Sequence, residues 1–521
     1  MPADASLTKR ARTGANTRRK AEGRSVIVGT LSFAKRPTLQ VLKLEAIQKA
    51  GGCRLVLGSF TIAEWLVLVQ HELLLFAAAF FLLGLVDELA LDCTYFWYRI
   101  TGRIRTPRLR HGHGDDISSL AGRAAVFIPT WQEADVIGPT LAHMLGAWRQ
   151  EELTVYVGCY RNDEATMASV LAAVRGDRRG RLVIHGADGP TSKADCLNRL
   201  YAALVEDEKR SGVEARMVIL HDAEDMVDPA ALSLLDRALW HAHFAQLPVL
   251  ALPQRHSPWI GSHYSDEFAE SHAKVLVVRD ALGAAIPGAG VGCAVARGSL
   301  AALAHEEGGH PFAAESLTED YELGLRIAQA GGKGRFLRVR DEDGRLIATR
   351  AFFPSRLDAA IRQKTRWMHG IALQGWDRLG WGHTPVDLWM LLRDRRGPVA
   401  AILLVVAYAL VGLVTLNLGL QMMNIIELPP LSPLLLMLLA INFAGLLLRL
   451  CLRACFTARE YGWRQGLLAI PRTLVSNIVA VMAGRRALSA YIGTLRGAPL
   501  MWDKTEHREH PALSLFGENR L

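Results

Sequence analysis

The stretch from Met217 to Pro229 reads MVILHDAEDMVDP. Its first four residues, Met217 to Leu220, are apolar, too few for a helix and suited to a buried strand. The run then breaks into acid at Asp222, Glu224 and Asp225. A strand that releases carboxylates at its C-terminal end sets them where open α/β sheets take their ligands. Asp222 and Glu224 flank the small Ala223, so in an extended turn both face one hard cation through oxygen. Mg2+ or Mn2+ held by one or two carboxylates plus substrate phosphates is the usual arrangement in nucleotide-using enzymes. An isolated Asp-x-Glu also describes a solvated turn after any strand, so the motif is decided by its surroundings.

Those surroundings alternate short apolar runs with helical stretches. Ala124 to Ile128 reads as a strand, followed by PTWQEADV and a helix from about Asp135. Leu153 to Val157 is a second strand and ends in the polar turn Tyr160-Arg161-Asn162-Asp163. Leu182 to His185 is a third, and Lys193 to Asp207 is helical. Met217 to Leu220 is the fourth. This β-α-β-α spacing predicts a mainly parallel sheet with helices on both faces. Polar residues follow strands one, two and four, as a nucleotide site at their C-terminal ends requires. Further on, Gly288-Ala289-Gly290-Val291-Gly292 is GxGxG, not the dinucleotide pattern GxGxxG, and no strand–helix unit frames it. It reads as a turn or a loop that lets backbone approach a ligand. Ser316-Leu317-Thr318-Glu319-Asp320 precedes a helix from Tyr321 to Ala330. Thr318 suits the N-cap and the two acids suit the helix dipole. An acid at a helix start beside a pocket also suits a general base. Ile361 to Gln374 is basic and amphipathic, with Gln363, Arg366 and Trp367 at helical spacing. Arg366 suits a phosphate and Trp367 a sugar ring or a base. An interfacial helix at a membrane would use the same residues.

The chain has 521 residues, more than one ordinary core. Half of them are hydrophobic and the mean hydropathy is +0.15, which points to a membrane protein. The net charge of +9 is carried by residues 1–54, where twelve Lys and Arg face Asp4, Glu22 and Glu45. The rest sums to zero, which leaves no basic face for nucleic acid. The basic arm suits anionic lipid, and Thr38 to Ala50 has the pattern of one helix. Seven cysteines show no metal-type spacing and read as reduced packing residues, with Cys451 and Cys455 buried on one helix.

Leu66 to Val86 has the length of a membrane helix, flawed by Gln70, His71 and Glu72 and ended by Asp87, Glu88 and Asp92. Tyr95, Trp97 and Tyr98 read as an interfacial belt. The arginines from Arg99 to Arg110 put the following side in the cytoplasm, whereas the basic arm argues the reverse. A re-entrant segment would remove that conflict. Pro398 to Ile426 and Leu431 to about Cys455 form a second pair of spans around Pro429-Pro430. Leu467 to Met482, broken by Pro471 and Arg472, reads as interfacial. The expected layout is a basic arm over 1–61, a membrane helix over 62–98, an α/β domain over 115–360 and interfacial helices over 361–397. A transmembrane hairpin over 398–456 and an interfacial helix with a polar tail over 457–521 complete it.

In this order, Asp163, Asp222-Ala223-Glu224, Thr318-Glu319-Asp320 and Gln363 to Trp367 resemble the D, DxD, TED and QxxRW signatures of processive-type family-2 glycosyltransferases. The second Asp of DxD is Glu224 here, which still offers a metal oxygen. Lys193-Ala194-Asp195-Cys196-Leu197-Asn198 matches that family's KAxxLN element. PTSKADCLN, HDAED, SLTEDYELG, RQKTRW and the late WDKTEH are similar to the phage-adsorption protein B type of bacterial inner-membrane glycosyltransferases, over about residues 62 to 510. Some of those proteins carry a further C-terminal regulatory domain, and none is expected here.

The resemblance implies a GT-A fold and a multi-pass inner-membrane protein with its catalytic domain in the cytoplasm. It implies that Glu133 lies by the nucleoside, that Asp163 contacts the base, taken as uracil, and that Lys193 lies near the nucleotide. Asp222 and Glu224, with Asp225 close by, hold Mg2+ or Mn2+ on the diphosphate. Asp320, beside Glu319, is the general base, and Gln363, Arg366 and Trp367 bind diphosphate and acceptor. The expected donor is an NDP-sugar, taken as UDP-linked, and the acceptor a growing polysaccharide or a lipid-linked glycan. Membrane lipids and an outer-membrane or export partner complete the set. A degenerate scaffold or phage-receptor component is the reading from another class.

Overall fold

The computed structural model describes residues 56–57, 60–109, 119–382, 384–497 and 510–512. The basic arm up to residue 55, its expected helix at Thr38–Ala50 and the WDKTEH stretch lie outside the described residues. The chain divides into Met1–Ile62 and Ala63–Leu521. In the first unit Val56–Leu57 and Phe60–Thr61 pair as an antiparallel hairpin.

The helices that matter below are α1 (Ile62–Ile100), α2 (Ala134–Ala147), α3 (Glu164–Ala173), α4 (Lys193–Ser211) and α5 (His263–Glu270). They continue with α6 (Glu319–Gln329), α7 (Leu357–Trp367), α8 (Gly397–Met422), α9 (Pro433–Tyr461) and α10 (Trp463–Leu495). Seven strands form the main sheet: β1 (Arg123–Pro129), β2 (Leu153–Tyr160), β3 (Gly180–His185), β4 (Ala215–Leu220), β5 (Phe244–Gln246), β6 (Cys293–Ala296) and β7 (Gly334–Phe336). Their spatial order is β7-β5-β6-β4-β1-β2-β3.

Strands β1 to β4 are mutually parallel, and β7 is parallel to β5. Only β6 is reversed, antiparallel to both β4 and β5. The architecture is the mainly parallel α/β sheet expected from the spacing. Its strands read as unbroken apolar runs because helices cover both faces. One core packs Phe127, Val218 and Leu220 against Leu197 and Leu200 of α4. The other packs Val126 and Ile219 against Val136, Ile137 and Leu141 of α2. Helix α4 starts where the Ser192 hydroxyl accepts from the Asp195 N–H at 3.1 Å, and stops at Gly212, whose φ is +66°.

The reversal of β6 places Cys293 opposite Leu220. The glycine loop that feeds β6 therefore reaches the edge where β1, β2 and β4 end. The functional residues gather on that edge.

Four helices, α1, α8, α9 and α10, are long and apolar enough to cross a membrane. Helix α1 does not stop at its acids. Asp87, Glu88 and Asp92 lie inside it and are neutralised across helices. Arg393 and Arg396 pair with Asp87 and Glu88, and Arg449 of α9 reaches Glu88 at 2.9 Å. Lys274, fully buried, joins Asp92 at 2.5 Å to Glu270 at 2.9 Å. Gln70, a flaw in the apolar run, accepts from Asn417 of α8 at 2.8 Å. Polar side chains within apolar helices are stable where another helix satisfies them.

Two further expectations need correction. Tyr95 is buried against Phe456, with ring centroids 5.8 Å apart, and is no part of an exposed belt. Cys451 and Cys455 are exposed on α9, not buried. Leu467–Met482 is not broken at Pro471 and Arg472 but is the middle of one 33-residue helix, α10, with the length and composition of a candidate span. Its polar residues nevertheless grip the α/β domain. Arg472 donates to the Ser262 carbonyl at 2.8 Å, Ser476 bonds Glu267, and the Tyr491 hydroxyl donates to Asp377 at 2.8 Å.

Candidate active site

The turn after β4 is held from behind by atoms from distant parts of the chain. Asp225, 1 % exposed, points inward; its Oδ2 accepts from His221 Nδ1 and from the Asp222 N–H, both at 2.9 Å. The Thr140 hydroxyl donates to the Ala223 carbonyl. His143 and Trp148 donate to the carbonyls of Val227 and Asp228, at 2.9 and 3.0 Å. The backbones of Met226 and Arg350 exchange two hydrogen bonds. Bracing of this kind holds Asp222 and Glu224, both partly exposed, at the sheet edge.

Lys193, at the start of α4, places its ammonium 2.6 Å from Asp222 Oδ1. Burial alone would lower its pKa. Asp222, Glu319 and Asp320 outweigh that burial, and the pKa is raised above the ordinary lysine value. One cation thus responds to both acidic motifs, although about 100 residues separate them in sequence. Among the described residues no three His, Cys, Asp or Glu side chains cluster as a closed metal cage. Asp222 and Glu224 instead offer hard oxygen ligands on an open edge, a donor set that fits Mg2+ or Mn2+ completed by phosphate and water.

The second acidic motif opens α6. Thr318 takes the N-cap position as expected, but its hydroxyl makes no capping bond and lies buried without a partner. Glu319 is buried, and burial together with the charge of Asp320 raises its pKa to about 7. Asp320 is less buried, and its Oδ1 accepts from the Tyr321 N–H at 2.7 Å. The glycine loop wraps this acid. A Cβ on Gly288 would collide with the Asp320 carbonyl, and one on Gly290, whose φ is +77°, with the Asp320 carboxylate. The first two glycines of GxGxG thus bring backbone against Asp320, while a Cβ on the third, Gly292, would meet Thr349.

Helix α7 carries Gln363, Arg366 and Trp367, then loosens into a π-helical segment at Met368–Gln374. Such widenings recur at functional sites. The Gln363 Oε1 is buried with no hydrogen-bond partner. Arg366 adds positive field at Glu319. Trp367 packs at half exposure among Tyr264, Phe268 and Phe353. Gln374 ties the segment to the second motif, accepting from the Leu317 N–H at 3.1 Å and donating to the Glu315 carbonyl at 2.7 Å. A Cβ on Gly370 would crowd Thr318, so the two segments lie in contact.

On the side of β1 and β2, Glu133 is buried at the start of α2, and its N–H donates to Thr166 Oγ1 at 3.0 Å. Asp163 caps α3. Its two oxygens accept from the N–H groups of Gln132, at 2.6 Å, and Thr166, at 3.4 Å. Gln132 is held there at φ +54°, a conformation that L residues rarely adopt. Each Asp163 oxygen keeps a further lone pair. Trp131 and Tyr160 stand edge to face beside them at 5.3 Å.

The structure therefore brings Lys193, Asp222, Glu319 and Asp320 into one electrostatic unit and sets the α7 segment against it. Asp225 braces the turn from within. Two contributors were not found from the sequence. The glycine loop had a visible signal in GAGVG, but nothing in it names Asp320 as its neighbour. Gln374 had none.

Residues 121–370 match the profile of the glycosyltransferase-like family 2. Over 472 residues the chain is 31% identical to bacteriophage adsorption protein B of Escherichia coli strain K12, covering 85% of this chain and 63% of that protein. Bacteriophage N4 adsorption protein B of Escherichia coli O157:H7 matches with the same figures. The chain thus spans 63% of the length of these curated relatives. Among solved structures, the mannosyltransferase PcManGT from Pyrobaculum calidifontis, in complex with GDP-Man and Mn2+, superposes with a TM-score of 0.43 at 14% identity. That match covers 80% of this chain and 99% of that one. Glucosyl-3-phosphoglycerate synthase from Mycobacterium tuberculosis, in complex with Mn2+ and UDP-glucose, gives 0.32 at 16% identity over 54% of this chain and 88% of its own.

Proposed function

We propose, from the match of residues 121–370 to the family-2 glycosyltransferase profile and the likeness to bacteriophage adsorption protein B, that this chain is a family-2 glycosyltransferase that moves a hexosyl or N-acetylhexosaminyl unit from a UDP-sugar to a growing exopolysaccharide. The reaction inverts the anomeric centre and takes place at the cytoplasmic face of a bacterial inner membrane. The observation that carries this reading is the single charged unit of Lys193, Asp222, Glu319 and Asp320.

Each group has a task in that reaction. Departure of a nucleoside diphosphate from C1 builds negative charge on phosphate. Lys193 and Arg366 are the chain's own cations for that charge. A divalent cation on Asp222 and Glu224 would supply further charge neutralisation. The acceptor hydroxyl loses its proton as it attacks, and the Asp320 carboxylate, held by the glycine loop, takes it. Gln363, with its Oε1 unpartnered, and the half-exposed Trp367 orient the acceptor sugar. Glu133 and Asp163, beside Trp131 and Tyr160, face the nucleoside.

Purified protein in nanodiscs, incubated with a panel of UDP- and GDP-sugars and Mn2+ or Mg2+, tests the reading through nucleotide release. Release from one UDP-sugar, abolished by chelator and by Asp222→Ala, supports it. Equal release with and without chelator refutes the metal-dependent site, and release from a GDP-sugar alone refutes the uridine assignment.

A further inference from the structure

The carbonyl of Asp225 is satisfied from the far end of the chain. His510 is 1 % exposed, and its Nε2 lies 3.4 Å from the Asp225 oxygen. Its other ring nitrogen, Nδ1, accepts from the Ala512 N–H at 3.2 Å. A neutral imidazole that accepts at Nδ1 carries its proton on Nε2, so the ring donates to Asp225. Ala512 is buried with it at 5 %. The carbonyls of Ala223, Met226, Val227 and Asp228 are bonded by groups from the α/β domain itself. Asp225 is the member of that series whose carbonyl is met by the C-terminal segment, 285 residues away. Asp225 in turn fixes Asp222 through the Asp222 N–H and through His221.

We propose that His510 is a positioning residue for the transferase site. It clamps the back of the acidic turn so that Asp222 and Glu224 present their oxygens in a geometry ready for a divalent cation and a nucleoside diphosphate. The inference rests on the reading of that turn as the nucleotide–metal site. It makes the C-terminal segment a working part of the catalytic domain, although α8, α9 and α10 separate the two in sequence. Groups that orient ligand residues from behind tune affinity without touching the ligand.

The test is Mn2+ titration of full-length protein in nanodiscs, with and without UDP, read by the loss of the free-ion electron paramagnetic resonance signal. His510→Ala is expected to weaken Mn2+ binding in the presence of UDP about 3- to 10-fold, the range for losing one buried hydrogen bond. His510→Gln, which keeps an N–H donor, should recover most of that loss. In turnover assays the apparent KM for Mn2+ should rise more than kcat falls. Unchanged Mn2+ affinity in a folded His510→Ala protein overturns the proposal, as does equal weakening in both variants. Absence of UDP-dependent Mn2+ binding in the wild-type protein overturns instead the reading of the turn on which the proposal rests.

Discussion

Two neighbouring carboxylates at the start of α6 face different surroundings, and their chemistry separates accordingly. Asp320 is half-buried and lies against backbone; replacing it by Asn removes the proposed proton acceptor without changing shape. Asp320→Asn should lower kcat about 100-fold or more while UDP binding stays within a few-fold, as single-turnover assays and calorimetry would show. Near-normal transfer would exclude Asp320 as the base. Glu319 is buried, and its pKa of about 7 lies above that of an exposed glutamate. The folded state therefore holds a proton that the unfolded chain releases near pH 4.3. Its stabilising contribution is complete below that pH and is lost as pH rises through about 7. Glu319→Gln removes the titration. The variant should gain on wild type by about 2 to 4 kcal/mol between pH 4.5 and 8, read from thermal unfolding in detergent. A pH-independent difference between the two proteins would count against the buried proton.

The glycine loop is an element whose function lies in what it lacks. Gly290 has φ +77°, and a Cβ there would meet the Asp320 carboxylate. Gly290→Ala should move that carboxylate by a fraction of an ångström to an ångström and cost about 100-fold in kcat, with nucleotide affinity preserved. Gly298→Ala, where a Cβ meets open space, is the matched control and should leave kcat unchanged. Full activity in Gly290→Ala would show that the loop yields to Asp320 at little cost. The strap from Gln374 to Leu317 and Glu315 belongs to the same scale. It makes α6 and the segment after α7 one unit, so Asp320 and the residues of α7 keep a common frame.

Across the molecule, a buried charge network joins the apolar helices to the α/β domain. Lys274, in the π-helical turn after α5, contacts Asp92 of α1 and Glu270, while Arg449 of α9 reaches Glu88 and Glu270. Removing one partner of a buried ion pair is far costlier than removing both. Lys274→Met should destabilise the protein by about 3–5 kcal/mol in thermal unfolding, and adding Asp92→Asn should return part of it. Additive losses in the double variant would mean that Lys274 and Asp92 do not interact. The network also explains why Asp87, Glu88 and Asp92 interrupt an apolar run without ending its helix. Their partners lie on other helices, where no local pattern reveals them.

Strands β1 to β4, their parallel order and the residues able to do chemistry at their ends are legible in the sequence. Those features rest on apolar runs and turn residues a few positions apart, and short-range stereochemistry sets them. Order and spacing also sufficed for the likeness to family-2 glycosyltransferases. Folding alone reveals that Asp225 braces the acidic turn, that GAGVG packs against Asp320, that Tyr95 is core and that His510 returns to the acidic turn. Each of these is a contact between residues remote in the chain. They depend on the reversal of β6, on the packing of α1 against α8 and α9, and on the path of the C-terminal segment. A residue's type and neighbours in sequence define what it is able to bond, whereas the fold selects which of the possible partners arrives.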